Sequence, residues 1–195
     1  GVAPLLCAGI TLNSPIVHWK SGPGKEAEVI GLSGLGHMGV KIAAAMGADV
    51  TVFSHSPSKK DDALAMGAKD FVVVKEKADL KEQSRKYDLI INTVSAEIDL
   101  EWYIQCLKLD GTIVLVGLPG KPYAVSTPVL IEQRRSVSGS MIGGIPELQA
   151  MLDFCGKHNI VSDIEVIDPD YINTAYDRTV ASDVKYRFVI DASKF

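Results

Sequence analysis

An α/β fold built on a doubly wound parallel sheet is what this sequence predicts, and three observations predict it. Short apolar runs rich in Val and Ile alternate with longer segments of helical spacing almost from end to end, the pattern of successive βαβ units. The short runs are apolar throughout, as strands covered on both faces must be. A length of 195 residues suits one main hydrophobic core with a smaller appendage.

Strands are expected at residues 28–32, 50–53, 71–74, 88–92 and 112–117, with a sixth at 137–141. Between them, Met38, Ile42, Ala45 and Met46 share one helical face, residues 63–66 continue a second helix, and Leu100, Tyr103, Ile104 and Leu107 mark a third. The punctuation agrees. Pro57, with Ser56 ahead of it, opens a helix, Gly47 and Gly67 stand where helices stop, and Asp110-Gly111 forms a turn before the fifth strand. After Gly143-Gly144 the pattern changes to an amphipathic helix over 146–158, an apolar run at 161–167, a helix from Pro169 and a closing strand at 186–190. This tail is expected to belong to a different layer.

Hydrophobic residues make up 47% of the chain and charged residues 23%, with a net charge of −4, which excludes a disordered acidic tail and a protein built to wrap nucleic acid. The three cysteines, Cys7, Cys106 and Cys155, are odd in number and contain no C-x-x-C pair. They exclude a disulfide framework and point to a reducing, cytoplasmic setting. No stretch approaches the roughly 20 apolar residues of a membrane span, so no membrane partner is expected. The start at Gly1, without initiator Met or charged leader region, reads as abrupt: a processed chain, or a piece of a longer one.

The richest glycine stretch, Gly31-Leu32-Ser33-Gly34-Leu35-Gly36-His37-Met38-Gly39, follows the first expected strand and opens a helix. Strand, glycine turn and helix in this order present backbone N–H groups and a positive helix end to a pyrophosphate. The bland alternative is a tight βα turn with no ligand. In the register that starts at Gly31, Ser33 occupies the second glycine position; were it forced to positive φ, the strain would be roughly 1–2 kcal/mol. A register starting at Gly34 restores three glycines, Gly34, Gly36 and Gly39, but lengthens the strand, and the first register is preferred.

About twenty residues on, an NAD-binding chain places Asp or Glu to hold the ribose 2′-OH. Here stands Ser54-His55-Ser56-Pro57-Ser58-Lys59-Lys60, with Asp61 and Asp62 following inside the helix. A carboxylate about 4 Å from a 2′-phosphate would cost roughly 4 kcal/mol per charge pair at an effective dielectric of 20. Its absence, together with Lys59, favours NADP(H). The alternative is a solvated helix start with Ser54 or Ser56 as N-cap.

Taken alone, Cys7 reads as a small buried hydrophobe. His18, His37, His55 and His158 are scattered and make no four-coordinate zinc set. His158 suits a helix end, Trp19 and Trp102 read as packing residues, and Glu26, Glu28, Asp61 and Asp62 read as solvated charges. No tyrosine is followed four residues later by Lys, against a short-chain dehydrogenase, and the missing acid after the second strand argues against a methyltransferase.

Ordered blocks then show a likeness: Pro4-Leu5-Leu6-Cys7-Ala8-Gly9-Ile10-Thr11, Gly22-Pro23-Gly24-Lys25, Gly34-Leu35-Gly36-His37-Met38-Gly39-Val40-Lys41, Ser138-Gly139-Ser140-Met141-Ile142-Gly143-Gly144 and Asp183-Val184-Lys185-Tyr186-Arg187-Phe188. Together they resemble the zinc-dependent medium-chain alcohol dehydrogenases, in the cinnamyl alcohol dehydrogenase subgroup, across essentially the whole chain. The resemblance implies the C-terminal half of an enzyme of about twice this length. It implies a Rossmann-type cofactor domain over residues 11–144, with 1–10 and 145–195 returning to a GroES-like catalytic lobe whose bulk is missing.

By the same resemblance, Cys7 is one catalytic-zinc ligand whose partners lie outside the chain. The pyrophosphate turn falls on Gly31, Leu32, Ser33, Gly34, Leu35 and Gly36, with Ser33 departing from the family glycine. The 2′-phosphate contacts fall on Ser54, His55, Ser56 and Lys59, His55 standing where a serine or arginine is usual. Thr11, Thr93, Gly117, Ser140, Met141 and Ile142 match positions lining the nicotinamide and its ribose. The implied reaction moves hydride between NADPH and a small-molecule aldehyde or primary alcohol in a zinc-dependent homodimer joined near residues 137–143. This chain alone is expected to bind cofactor without turnover. A stand-alone nucleotide-binding or redox-sensing module and an inert fragment are the other readings.

Overall fold

The computed structural model describes every residue, Gly1–Phe195. Helix α1 (Ala8–His18) leads into strand β1 (Glu26–Ile30), then α2 (Gly36–Ala45), β2 (Asp49–Ser54), α3 (Lys60–Ala65), β3 (Asp70–Val73), β4 (Tyr87–Asn92), α4 (Leu100–Ile104), β5 (Leu107–Leu115), α5 (Thr127–Ile131) and β6 (Ser136–Gly139). The tail adds α6 (Ile145–His158), β7 (Ile164–Ile167), α7 (Ile172–Val180) and β8 (Arg187–Ile190). Six parallel strands run in the order β3-β2-β1-β4-β5-β6, and β7 and β8 form a separate parallel pair. The predicted α/β class and doubly wound parallel sheet are what the chain adopts.

The sheet is covered on both faces. On one, Val50 and Val52 of β2 pack with Leu12 and Ile16 of α1, Met38 and Ile42 of α2, Ala63 of α3 and Met151 of α6. On the other, Phe53, the next residue of β2, packs with Tyr87, Leu100, Tyr103 and Ile104. This switch of face between Val52 and Phe53 is the period-two alternation of a strand. The predicted stops hold: Gly47 at φ +89° and Gly67 at φ +103° take up the left-handed region just past α2 and α3.

Several boundaries differ from expectation. β1 starts at Glu26 and ends at Ile30, leaving Leu32 in the turn. Asp110-Gly111 lies inside β5, not ahead of it: Asp110 takes φ +64°, and the pairing with β4 jumps from Leu107 to Thr112. Helix α1 was not anticipated, because Thr11, Asn13, Ser14 and Pro15 are weak helix formers. It is held by burial, with the Leu12 side chain so close that a Cβ on Gly39 of α2 would lie 3.0 Å from its Cδ1. The division between residues 10 and 11 falls within this helix.

Glu28 is a correction. It is not solvated but fully buried in β1, and neither carboxyl oxygen has a hydrogen-bond partner. No helix is long and apolar enough to cross a membrane.

Candidate functional site

The sheet's strand order changes direction between β1 and β4, and an open α/β sheet binds ligands at the carboxyl ends of its strands at such a point. A cleft of about 760 Å³ opens there. One wall is the turn from Gly31 to Leu35, the ends of β2 and β4, and Lys59; the other is α7 and β8.

The turn is shaped by two glycines. Gly31 takes φ +89°, and a Cβ on it would lie 2.5 Å from Val94 Cγ1. A Cβ on Gly36 would fall 1.8 Å from the Gly31 carbonyl oxygen, so only glycine lets the helix start this close to the strand end. Thr93 braces the same turn, its hydroxyl donating to the Ile30 carbonyl at 2.7 Å. Ser33 is exposed and outside the left-handed region, so the strain considered for it does not arise. Leu35, the residue capping α2, offers no side-chain acceptor, and the turn's own backbone takes up donors of the first helical turn: the His37 N–H donates to the Ser33 carbonyl at 3.1 Å and the Met38 N–H to the Leu35 carbonyl at 3.0 Å.

His37 fixes the turn from beneath. It is buried, with its ring stacked on Tyr186 at a centroid distance of 5.1 Å. Burial pushes its pKa down to about 4, so the ring is neutral at pH 7. Nδ1 faces the Ser33 carbonyl at 2.9 Å and must carry the proton; Nε2 then accepts from the Ser162 hydroxyl at 3.0 Å.

At the end of β2, Ser54, His55 and Lys59 all line the cleft. The Ser54 hydroxyl also accepts from the Ser56 N–H at 3.2 Å, so Ser54 serves the turn as well as the cleft. Ser56 is not among the residues that line the cleft. Lys59 donates from Nζ to the Leu32 carbonyl at 2.8 Å, and burial holds it below the usual lysine range. Across the cleft, Arg187 of β8 donates from Nε to the Gly34 carbonyl at 2.9 Å, leaving its terminal nitrogens free of protein partners. Lys59 and Arg187 are thus two cations in a cleft whose lining includes no Asp or Glu. The arrangement suits a polyanion with flat apolar portions.

Nine of the anticipated residues meet here: Gly31, Leu32, Ser33, Gly34, Leu35, Ser54, His55, Lys59 and Thr93. Gly36 is buried in the turn beneath them. Thr11 is buried within α1, Gly117 packs against the carbonyl of Val94, a lining residue, and Ser140, Met141 and Ile142 follow β6, Met141 and Ile142 exposed; none of the five lines this cleft itself. Sequence reasoning missed Arg187, Tyr186 and His37 as site residues. Arg187 lies 153 residues from Gly34, so no local pattern could join them.

Cys7 is exposed at the start of α1, and no three His, Cys, Asp or Glu side chains converge on a point that could hold a metal ion. The residues present do not by themselves fit a zinc centre.

Residues 34–157, from the glycine turn to the end of α6, match the family model described as zinc-binding dehydrogenase. The chain belongs to the zinc-binding dehydrogenase family. Among family members, the NADP-dependent alcohol dehydrogenase C 1 of Mycolicibacterium smegmatis is 56% identical over 191 residues, which cover 98% of this chain and 55% of that protein. The aldehyde reductase YahK of Escherichia coli is 52% identical, with 97% and 55% covered. A solved structure of a cinnamyl alcohol dehydrogenase from Sorghum bicolor superposes with a TM-score of 0.95 at 45% identity, covering 98% of this chain and 55% of that one. A cinnamyl alcohol dehydrogenase from Helicobacter pylori, solved in complex with NADP(H), gives 0.89 at 43% identity, with the same 98% and 55% covered. The chain spans about half the length of these zinc-binding dehydrogenases.

Proposed function

We propose that this chain is the NADP(H)-binding portion of a zinc-dependent alcohol dehydrogenase or aldehyde reductase acting on an aldehyde or primary alcohol. The observation that carries the reading is the cleft lined by Lys59 and Arg187 and by no carboxylate. Its glycine turn, the positive end of α2 and its strand-end hydroxyls are the groups that pyrophosphate and ribose phosphate recognition needs.

Arg187 and the start of α2 would hold the pyrophosphate from opposite walls. Ser54, His55 and Lys59 would take the 2′-phosphate, where an NAD-specific site would place an acid. A neighbouring recess of about 360 Å³, between His55, Val74, Ile98 and Trp102, suits the adenine ring. Bound NADP(H) supplies the hydride chemistry; this chain's residues position the dinucleotide and exclude water from its phosphates.

The zinc site would be completed in the full-length enzyme, with Cys7 as one ligand, so the chain alone is expected to bind cofactor without turnover. In that enzyme Thr11, Gly117, Ser140, Met141 and Ile142 would face the nicotinamide end, residues 11–144 would form the cofactor domain, and 1–10 and 145–195 would join the catalytic lobe. A homodimer through the β6 edge is supported by its unpaired outer side and by exposed Val137, Met141 and Ile142. The free cysteines support a cytoplasmic setting.

Calorimetric titration of the chain with NADPH, NADP⁺ and NAD⁺ at fixed salt tests the reading. Phosphorylated cofactors are expected to bind about tenfold more tightly or better, a gap of about 1.4 kcal/mol. Equal or tighter NAD⁺ binding overturns the cofactor assignment, and no heat with any cofactor leaves an inert fragment.

A further inference from the structure

The carboxylate whose charge favours the charged form of Lys59 is Asp62, three residues further along the chain in the first turn of α3, the helix that Lys59 itself caps. The two do not form an ion pair. Asp62 turns instead toward the tail, accepting from Lys185 Nζ at 2.9 Å on Oδ1 and 2.7 Å on Oδ2, and from the Tyr186 hydroxyl at 2.8 Å on Oδ2. Those bonds, Lys185 foremost, hold the Asp62 carboxyl below its usual range.

Tyr186 cannot easily swing away. It is buried, and its ring is clamped on His37, which in turn holds the Ser33 carbonyl. Lys59 is left with a single neutral acceptor, the Leu32 carbonyl, and faces the cleft.

We infer that Lys185 and Tyr186 are positioning residues for cofactor specificity: by holding the Asp62 carboxylate away from Lys59, they keep that lysine available to the 2′-phosphate. The inference rests on the NADP(H) reading of the cleft. Without the clamp, Asp62 would rotate onto Lys59, neutralise it and set a negative charge beside the phosphate. NAD(H), which lacks that phosphate, would bind as before.

A double-mutant cycle on the full 195-residue chain, read by titration with NADPH and NAD⁺, tests this. Lys185 has a side chain that is 70% exposed, so Lys185→Ala leaves the packing intact. It is expected to weaken NADPH binding about five- to tenfold while NAD⁺ affinity stays within about twofold. Asp62→Asn alone is expected to stay within about twofold of the parent, and the double variant to recover NADPH affinity, a non-additive result. Tyr186→Phe, which keeps the ring on His37, is expected to shift the cofactor ratio in the same direction as Lys185→Ala by a smaller factor.

A parent chain that prefers NADPH, with Lys185→Ala leaving the ratio unchanged or weakening both cofactors equally, overturns the inference alone. Additive effects of Lys185→Ala and Asp62→Asn overturn it too, since Lys185 would then act on the phosphate directly. A parent chain without NADPH preference overturns the cofactor reading and the inference with it.

Discussion

Replacing Glu28 by Met is expected to make the protein more stable, and more so the higher the pH. The carboxyl is fully buried in β1, its oxygens meet no donor, and it lies close enough to Tyr87, Tyr103 and Cys106 to disfavour their charged forms. Burial raises it well above the usual glutamic acid range; the Phe53 amide opposes this only weakly, being outside hydrogen-bond geometry. In the unfolded chain the group ionises near pH 4.3, a value of about the usual size. Above that point the folded state binds the extra proton, so stability falls as pH rises, by about 1.4 kcal/mol per pH unit until the folded group ionises. The loss therefore grows from about pH 4.3 upward for as long as the folded group keeps its proton, and unsatisfied polar oxygens add about 1–3 kcal/mol relative to an apolar side chain. Against a typical total of about 5–15 kcal/mol these are large. Urea unfolding of both chains from pH 4.5 to 8, followed by circular dichroism, is expected to show Glu28→Met ahead by about 1–3 kcal/mol at pH 4.5, where the proton linkage adds little, and by a margin that widens by up to about 1.4 kcal/mol per pH unit as the pH rises. Every other titrating group is common to both chains and drops out of the difference. Parallel stability profiles would refute the reasoning, because they would mean that Glu28 ionises alike in both states.

Acid acts through His37 in the opposite sense: its folded pKa is depressed to about 4, so the stability it contributes is present above about pH 6.5 and lost as pH falls through about 4. A loss of roughly 3 kcal/mol over that window is expected in the parent and a flatter profile in His37→Gln, measured by chemical unfolding at each pH. Gly36→Ala drives a methyl group into the Gly31 carbonyl, 1.8 Å from where the Cβ would stand, and is expected to cost about 3 kcal/mol or more and abolish cofactor binding, read by thermal melting and NADPH titration.

The strands were legible because continuous Val and Ile runs have few other uses, and the turn between β1 and α2 because glycine spacing and position coincide. Glu28 was misjudged by residue type alone: a strand covered on both faces has no solvent side, and the charge had nowhere to go. Helix α1 escaped notice because tertiary burial, not propensity, forms it. The site divided the same way. Ser54 and Lys59 sit near the glycine turn's own strand and helix, whereas Arg187 and Tyr186 reach it from the far end of the chain. Asp62 looked like a helix-face charge, since its partners Lys185 and Tyr186 are 123 and 124 residues away.

These distant ties set an order of assembly. The parallel sheet is complete at β6, and its pairing needs nothing from the tail. The ties of His37 to Ser162, Lys41 to Asp163, Asp62 to Lys185 and Gly34 to Arg187 each span more than 120 residues. Closing such loops is slow. During synthesis the glycine turn therefore stands open while the chain is being made, and the second wall arrives with the last strand. Nascent chains carry a scaffold before they carry the second wall of the cleft, so a cofactor present in the cell meets both walls only on chains whose sheet has already formed.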